Sequence, residues 1–418
     1  MATGTNLTVL NDSLGSDSAN PRPSRPSLHV LTLTPFFPFS ANPVYGIYVS
    51  EPIQHFAEYD LYSTVIGVSP LHRQRRRPVP GVESEWLHYP QIPGNLGLQT
   101  AGTFLYRRLL RRVRQLQRQR PIDIIHAHSA LPCGHAASLL AEHLNVPFVV
   151  TIHGLDVFNA CFEPGAPAAK RRAKLSAEVY RRAGSVICIS SAIEAILKNG
   201  MEQPVSANVI YNGTDAQMFA PEETALEETM TGGKVRNILM VGNLLRGKGH
   251  EIVLRAMAQV AARFPGLQCR MIGEGPDRNR FSSLARDLGI SGRVFFLGRQ
   301  DRQAVAKAMR ECTLFALPSR FEGLGCAYLE AMACGKPVIA CEGQGIGEII
   351  QHGHNGWLIP VDGVQEMAEA LSELLGSREL RTRIGVNARQ TIVNGLTTRD
   401  QVRRLDDIYR GVARERPA

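Results

Sequence analysis

The sequence predicts an α/β protein of two doubly wound domains. Three observations carry that expectation. Short apolar runs alternate with helical stretches in two separate series: one spans LHVLTL (28–33), YSTVIGV (62–68), IDIIHAH (122–128), PFVVTIH (147–153) and SVICIS (185–190). The other spans NILMVGN (237–243), LQCRMIG (267–273), VFFLG (294–298), TLFAL (313–317) and PVIAC (337–341). Such continuous apolar runs suit strands buried on both faces of a parallel sheet. Glycine-containing turns follow many of the strands, where α/β sheets bind ligands. The acidic stretch PEETALEETMTGGK (221–234) lies between the two series and reads as a linker.

Length and composition agree with this reading. A chain of 418 residues splits into two domains, and 44% hydrophobic with 20% charged residues is a soluble globular composition. No apolar run reaches the length of a membrane span. The eight cysteines are scattered, without CxxC or zinc-type Cys/His spacing, and read as reduced core residues of a cytoplasmic protein. Residues 1–27, rich in Ser, Asn, Pro and Gly, are expected to be a disordered tail.

In the first series, 28–215, the turn after the opening strand ends at Gly46, where the backbone is expected either to approach a ligand or simply to turn tightly. Residues 70–100 read as a proline-rich irregular insertion. The segment 102–120 places Phe104, Leu105, Leu109, Val113 and Leu116 near one helix face with arginines elsewhere. Between Pro70 and Arg120 eleven Arg face only Glu83 and Glu85, so this window alone carries the chain's whole net charge of +9. Two readings stay open: a helix on an anionic membrane surface, at the inner face of the membrane, or an ordinary solvated arginine face. Nucleic acid is not expected as a partner, because the arginines have no interleaved aromatics and no known module surrounds them. His126 and His128 close one strand. His153, followed by Gly154, Leu155 and Asp156, closes the next; a lone histidine is by default a satisfied structural residue, but one at a strand's carboxyl edge before a glycine is expected to point into the cleft.

In the second series, 216–398, VGNLLRGKGHE (241–251) follows a strand and opens a helix. Gly242, Gly247 and Gly249 leave room for a phosphate there, and Lys248 can neutralise it. The most informative stretch is LFALPSRFEGLGCAYLEAMACGKPVIAC (314–341), which reads strand, glycine turn, short apolar helix, strand. Gly323 and Gly325 bring bare backbone to the start of a helix over 327–334, a site for an anion. Seven residues separate Glu322, in the turn, from Glu330, about 12 Å along at ~1.5 Å per residue if the segment between is helical. One ligand can meet both, or the two are surface carboxylates at a helix start, where they suit the macrodipole.

Ser319, Arg320, Phe321, Glu322, Gly323, Gly325, Glu330, Ala331, Met332, Ala333, Gly335, Pro337 and Val338 together resemble the donor-site signature of the group 1 glycosyltransferases, glycosyltransferase family 4. The resemblance runs over residues 28–413 and implies the GT-B fold: two Rossmann-like domains facing across a cleft, with a last helix, 399–413, crossing back onto the first. It implies a retaining transfer from a nucleotide-sugar co-substrate to an acceptor hydroxyl. No Asp-x-Asp element stands out in a place to hold a divalent metal, so none is expected, and the Arg-rich window 70–120 motivates a lipid-linked or membrane-proximal saccharide as acceptor, in cell-surface polysaccharide or glycolipid synthesis. Glu322 would lie by the donor sugar with His153, Glu330 at the ribose, and Lys248 with the backbone of Gly323, Leu324, Gly325 and Cys326 at the diphosphate. IGEGPDRNRF (272–281) and FLGR (296–299), with Gly273, Gly298 and Arg299, would line the base. Gly46, His128 and Asp156 would face the acceptor side. Two departures stand out. Only Gly46 remains of the family's Gly-Gly pair, and Asn243 replaces its diphosphate arginine, for which Arg246 is the candidate substitute. Asn212-Gly213-Thr214-Asp215 resembles the family's Asn-Gly-Val-Asp at the domain junction. The competing reading is a catalytically silent nucleotide-sugar-binding subunit or sensor.

Overall fold

The computed structural model describes residues 26–94, 97–154, 156–157, 167–222 and 236–414. The first unit is built of β1 (Leu28–Thr34), α1 (Ile47–Gln54), β2 (Leu61–Pro70), β3 (Glu85–Tyr89), α2 (Leu98–Gln119), β4 (Ile124–His128), α3 (His135–Leu144), β5 (Phe148–Ile152), α4 (Pro167–Arg182), β6 (Ser185–Cys188), α5 (Ser191–Gly200) and β7 (Ala207–Val209). Its strands pair in the order β3-β2-β1-β4-β5-β6-β7, all parallel. Val30, Leu31, Ile124, Ile125, Val149 and Val150 have no exposed surface, which explains why these strands read as unbroken apolar runs.

The second unit comprises β8 (Arg236–Val241), α6 (His250–Val260), β9 (Leu267–Ile272), α7 (Arg278–Asp287), β10 (Val294–Gly298), α8 (Arg302–Glu311), β11 (Leu314–Ala316), α9 (Cys326–Ala333), β12 (Val338–Cys341), β13 (Trp357–Ile359), α10 (Val364–Gly376) and α11 (Arg378–Val393). Its order is β10-β9-β8-β11-β12-β13, again parallel throughout. In both sheets the first strand is central and the winding reverses beside it, at β1/β4 and at β8/β11, so each sheet opens a crevice at its carboxyl edge. The α/β architecture is therefore the one expected.

The last helix, α12 (Thr398–Arg414), returns to the first unit. Its Val402, Leu405, Tyr409 and Val412 share a core with Val30, Phe56, Ile124, Val149 and Ile187 and cover one face of the first sheet. The other face is covered in part by α2, whose Leu105, Leu109, Val113 and Leu116 are buried.

Some expectations need correction. The apolar face of α2 is spent on the protein core, so it cannot also enter a membrane, and Phe104 sits at its margin, 36% exposed. The insertion 70–100 contains the edge strand β3, because Trp86, Leu87 and Tyr89 give the run EWLHY enough strand preference to pair with β2. The tail up to residue 25, the linker from 223 onward, Leu155 and Cys161 lie outside the described residues. The other seven cysteines are unpaired, six of them buried.

Candidate active site

The crevices of the two sheets face one another across an open cleft. One wall carries Tyr45, Gly46, Tyr48, His153, Ile189 and Asn212. The opposite wall carries Gly242, Asn243, Lys248, Gly273, Arg299, Arg302, Glu322, Leu324, Gly325, Cys326 and Glu330. The loops after β8 and β11, on either side of the switch point, hold each other directly through Arg320 N–H donating to the Gly247 carbonyl at 2.9 Å. Lys248 Nζ lies 2.5 Å from Glu322 Oε2. The Glu322 N–H donates to Gln344 Oε1 at 2.9 Å, which fixes the turn. Beyond it Gly325 begins α9, and the helix N-terminus opens into the cleft with its partial positive charge.

Glu330 is buried and bound to Arg302, whose second terminal nitrogen lies 2.5 Å from Glu51 Oε1 on α1. Burial, opposed by Arg302 and reinforced by Glu330 and Asp215, pushes the Glu51 carboxyl up to about 7. The Arg302 guanidinium also lies 4.6 Å from the centre of the Phe219 ring.

On the first wall, His153 Nε2 is 2.9 Å from His128 Nδ1. Burial pushes the His153 imidazole down to about 3, so near neutrality it is uncharged and can hydrogen-bond but not act as a cation. Its backbone N–H donates to Asp156 Oδ1 at 2.9 Å, and burial raises Asp156 to about 6. Cys326, at the start of α9, is pushed up to about 12 by burial and the surrounding carboxylates, so it is a thiol and not a nucleophile.

Five sequence candidates do not line this cleft. Arg246 is turned away: its side chain is 67% exposed and 3.7 Å from Asp277, whose carboxylate also accepts the Arg246 N–H. The cations that line the cleft together with Lys248 are instead Arg299, 3.1 Å from Glu274, and Arg302. His128 shares a face of β4 with His126, since alternate residues of a strand point the same way, and that face looks onto α12. There His126 meets the Tyr409 hydroxyl at 2.6 Å, so His128 touches His153 from behind. Asp156 folds back to close the His153 turn. Gly298 supports the neighbouring turn, its carbonyl accepting the Gly273 N–H at 2.9 Å. Gly323 serves the domain contact, since a Cβ there would stand 3.0 Å from the His153 carbonyl. Gly46 does line the cleft, but its φ of +68° and a Cβ position 2.3 Å from the Phe36 carbonyl carbon show that its own chain already demands glycine.

Arg302 and Glu51 escaped the sequence reading. One signal was available: Asp301 caps α8 by accepting the Ala304 N–H at 2.8 Å, which puts Arg302 in the first helical turn, where a cation opposes the helix dipole. A locally unfavourable charge often marks a site.

The fold and cleft define a protein of the GT-B class. Residues 46–218 match Glycosyltransferase Family 4 and residues 223–391 match Glycosyl transferases group 1. An uncharacterised glycosyltransferase of Methanocaldococcus jannaschii is 30% identical over 269 residues, 64% of this chain and 70% of that one. The N-acetyl-α-D-glucosaminyl L-malate synthase of Bacillus anthracis is 28% identical over 317 residues, 73% and 79% of the two chains. HepE of Anabaena, solved in complex with UDP and glucose, matches with a TM-score of 0.72 at 19% identity, covering 92% of this chain and all of that one. The chain belongs to the group 1 glycosyltransferases. Its activity is sugar transfer, which sets aside the silent-subunit reading.

Proposed function

We propose that this glycosyltransferase moves a sugar, with retention, from a nucleoside-diphosphate sugar held on the second domain to an acceptor hydroxyl presented by the first. The observation that carries this reading is the Lys248–Glu322 pair beside the open N-terminus of α9 at the β8/β11 switch point. As the bond from the anomeric carbon to the diphosphate breaks, the leaving group takes the electron pair. Lys248 and the amides at the start of α9 stabilise that charge without a metal. Glu330 holds the ribose, Gly273 and Arg299 line the base, and Glu322 and His153 stand beside the sugar. The UDP in the HepE structure supports a uridine-type donor.

The acceptor is proposed to be a lipid-linked or membrane-proximal saccharide of cell-surface polysaccharide or glycolipid synthesis, met at the inner face of the membrane. Exposed Leu71, next to Arg73, Arg75 and Arg108 around one surface groove, supports this contact, while Arg112 in the same groove is paired with Glu85. Among the described residues no helix is long and apolar enough to cross a membrane. Binding is then electrostatic, and salt should weaken it.

Thermal unfolding with UDP-, GDP- and ADP-sugars tests the donor. The correct one at ~100 times its dissociation constant adds ~2.7 kcal/mol, and nucleoside diphosphate is then released in an EDTA-insensitive reaction. Loss of turnover in EDTA, restored by a divalent cation, would refute metal-independent transfer. Equal sedimentation with anionic and neutral vesicles at low salt would refute the membrane contact alone.

A further inference from the structure

Arg302 is a charged group on the cleft wall that the donor reading leaves unexplained. It begins α8 in the second domain, and its two terminal nitrogens serve carboxylates of different domains: Glu330, on α9 of its own domain, and Glu51, on α1 of the other. All three side chains are largely out of solvent, at 15%, 5% and 19% exposure for Arg302, Glu330 and Glu51. We propose that Glu51 and Arg302 form an interdomain strut that ties the ribose end of the nucleotide site to the first domain, making Glu51 a positioning residue for transfer. The proposal rests on the reading that Glu330 holds the ribose.

The geometry makes the strut selective about what it links. A guanidinium offers its donors in a rigid planar fork, so a carboxylate on each side fixes the angle between α1 and α9 as well as their separation. A shift of one domain against the other breaks Arg302–Glu51 and leaves Arg302–Glu330 intact, because that second pair lies within one domain. Arg302 Nε is buried and has no acceptor among the described residues, so the network is incompletely satisfied and suited to opening. Another domain contact is built differently. Glu348 of the second domain accepts the N–H groups of Ser191 and Ala192 at the start of α5, at 2.8 and 2.6 Å, and the Tyr211 hydroxyl at 2.9 Å. That contact lies outside the cleft lining and has no link to the nucleotide, whereas the strut ends on the ribose carboxylate. Seating a nucleotide against Glu330 therefore sets the orientation of Arg302, and through it the placement of α1 and the Gly46 turn that precedes it.

The test compares wild type with Glu51→Ala, Glu51→Gln and Glu330→Ala. The probes are UDP, GDP, ADP and inorganic pyrophosphate, and the readouts are calorimetric affinity, radius of gyration by X-ray scattering, and kcat and KM for the donor. Glu51→Ala should bind the nucleoside diphosphate within ~3-fold of wild type while kcat falls ~10-fold through lost positioning. Its nucleotide complex should scatter as a more open particle than that of the wild type. Glu51→Gln keeps an oxygen for Arg302 and should recover most of both, which a merely structural side chain would not predict. Pyrophosphate, lacking a ribose, should leave the wild type uncompacted. Unchanged scattering and kcat in Glu51→Ala overturn the strut, and so does a ~10-fold or larger loss of its nucleotide affinity, which would make Glu51 a donor ligand. Glu330→Ala examines the ribose reading by itself: undiminished affinity refutes that reading. The strut is then judged on the ligand-free proteins, where Glu51→Ala expands if the strut holds the cleft and matches wild type if it does not.

Discussion

Two of the cation–carboxylate assemblies that line the cleft are built for different work. Lys248 and Glu322 come from loops of one domain and meet through one 2.5 Å contact, with 25% and 17% of their side chains exposed. The ammonium is a point charge on a flexible stem and can turn from Glu322 to an arriving diphosphate without disturbing either loop. Arg302 is held between Glu330 and Glu51 by a planar fork across two domains, so it cannot turn without moving a helix. The first assembly supplies charge where charge develops, and the second supplies position.

Mutations in the first assembly should therefore act on turnover. Glu322→Ala is expected to have the largest effect, lowering kcat ~10²-fold or more, because it removes the carboxylate beside the sugar. Full turnover in that variant with only the donor KM altered would mean that the roles of the two glutamates are exchanged. Lys248→Ala comes next: a charge-assisted contact of ~1.5–3 kcal/mol is lost, and because charge grows on the diphosphate as the bond breaks, kcat and affinity should fall together. A Lys248→Ala enzyme with normal kcat at saturating donor would show that the lysine binds ground and transition states alike.

In the second assembly the effect should move to binding. Glu330→Ala is expected to raise the donor KM ~10-fold with a smaller change in kcat, because a ribose contact is nearly the same before and during reaction. Steady-state kinetics over a donor series decides it: a kcat loss matching that of Glu322→Ala would erase the distinction between charge and position.

The two assemblies also differ in how far they could be read from sequence. Lys248, Glu322 and Glu330 sit in strand–turn–helix segments whose glycines, prolines and apolar runs specify the local backbone. Local patterns therefore located them, along with both parallel sheets. The partner of Arg302 is 251 residues away, and the pairing depends on how two domains meet, which no local pattern encodes. The same limit explains Arg246. Its loop was recognisable, but the side-chain direction is decided by Asp277 on the next crossover. His128 was recognisable as a strand-end histidine, yet its direction follows from strand alternation and from α12, packed there from the far end of the chain. For α2 the amphipathic pattern was plain, while what covered its apolar face was a tertiary fact.

The smallest expected effect is the dependence of the second assembly on pH. Free of the protein environment the Glu51 carboxyl would titrate near 4.5, and in the fold it is pushed up to about 7, first by burial, with Glu330 and Asp215 adding to the rise and Arg302 opposing it. Between those two values the folded, strutted protein binds more protons than the unfolded chain, so by linkage Glu51's contribution to stability is fully present below about 4.5 and is lost as pH rises through about 7. Protonated Glu51 keeps an oxygen that accepts from Arg302, so the strut survives at the acidic end of this window. Other buried groups titrate as well. Asp156 is raised to about 6, and His126 and His153 are lowered to about 3, but Glu51→Gln leaves them as they are, and they cancel in a comparison of that variant with wild type. Melting temperatures measured from pH 5 to 8 should show Glu51→Gln gaining on wild type as pH rises, with most of the gain between pH 5 and 7. Parallel curves over the whole range would mean that Glu51 is ionised throughout, with Arg302 compensating its burial in full.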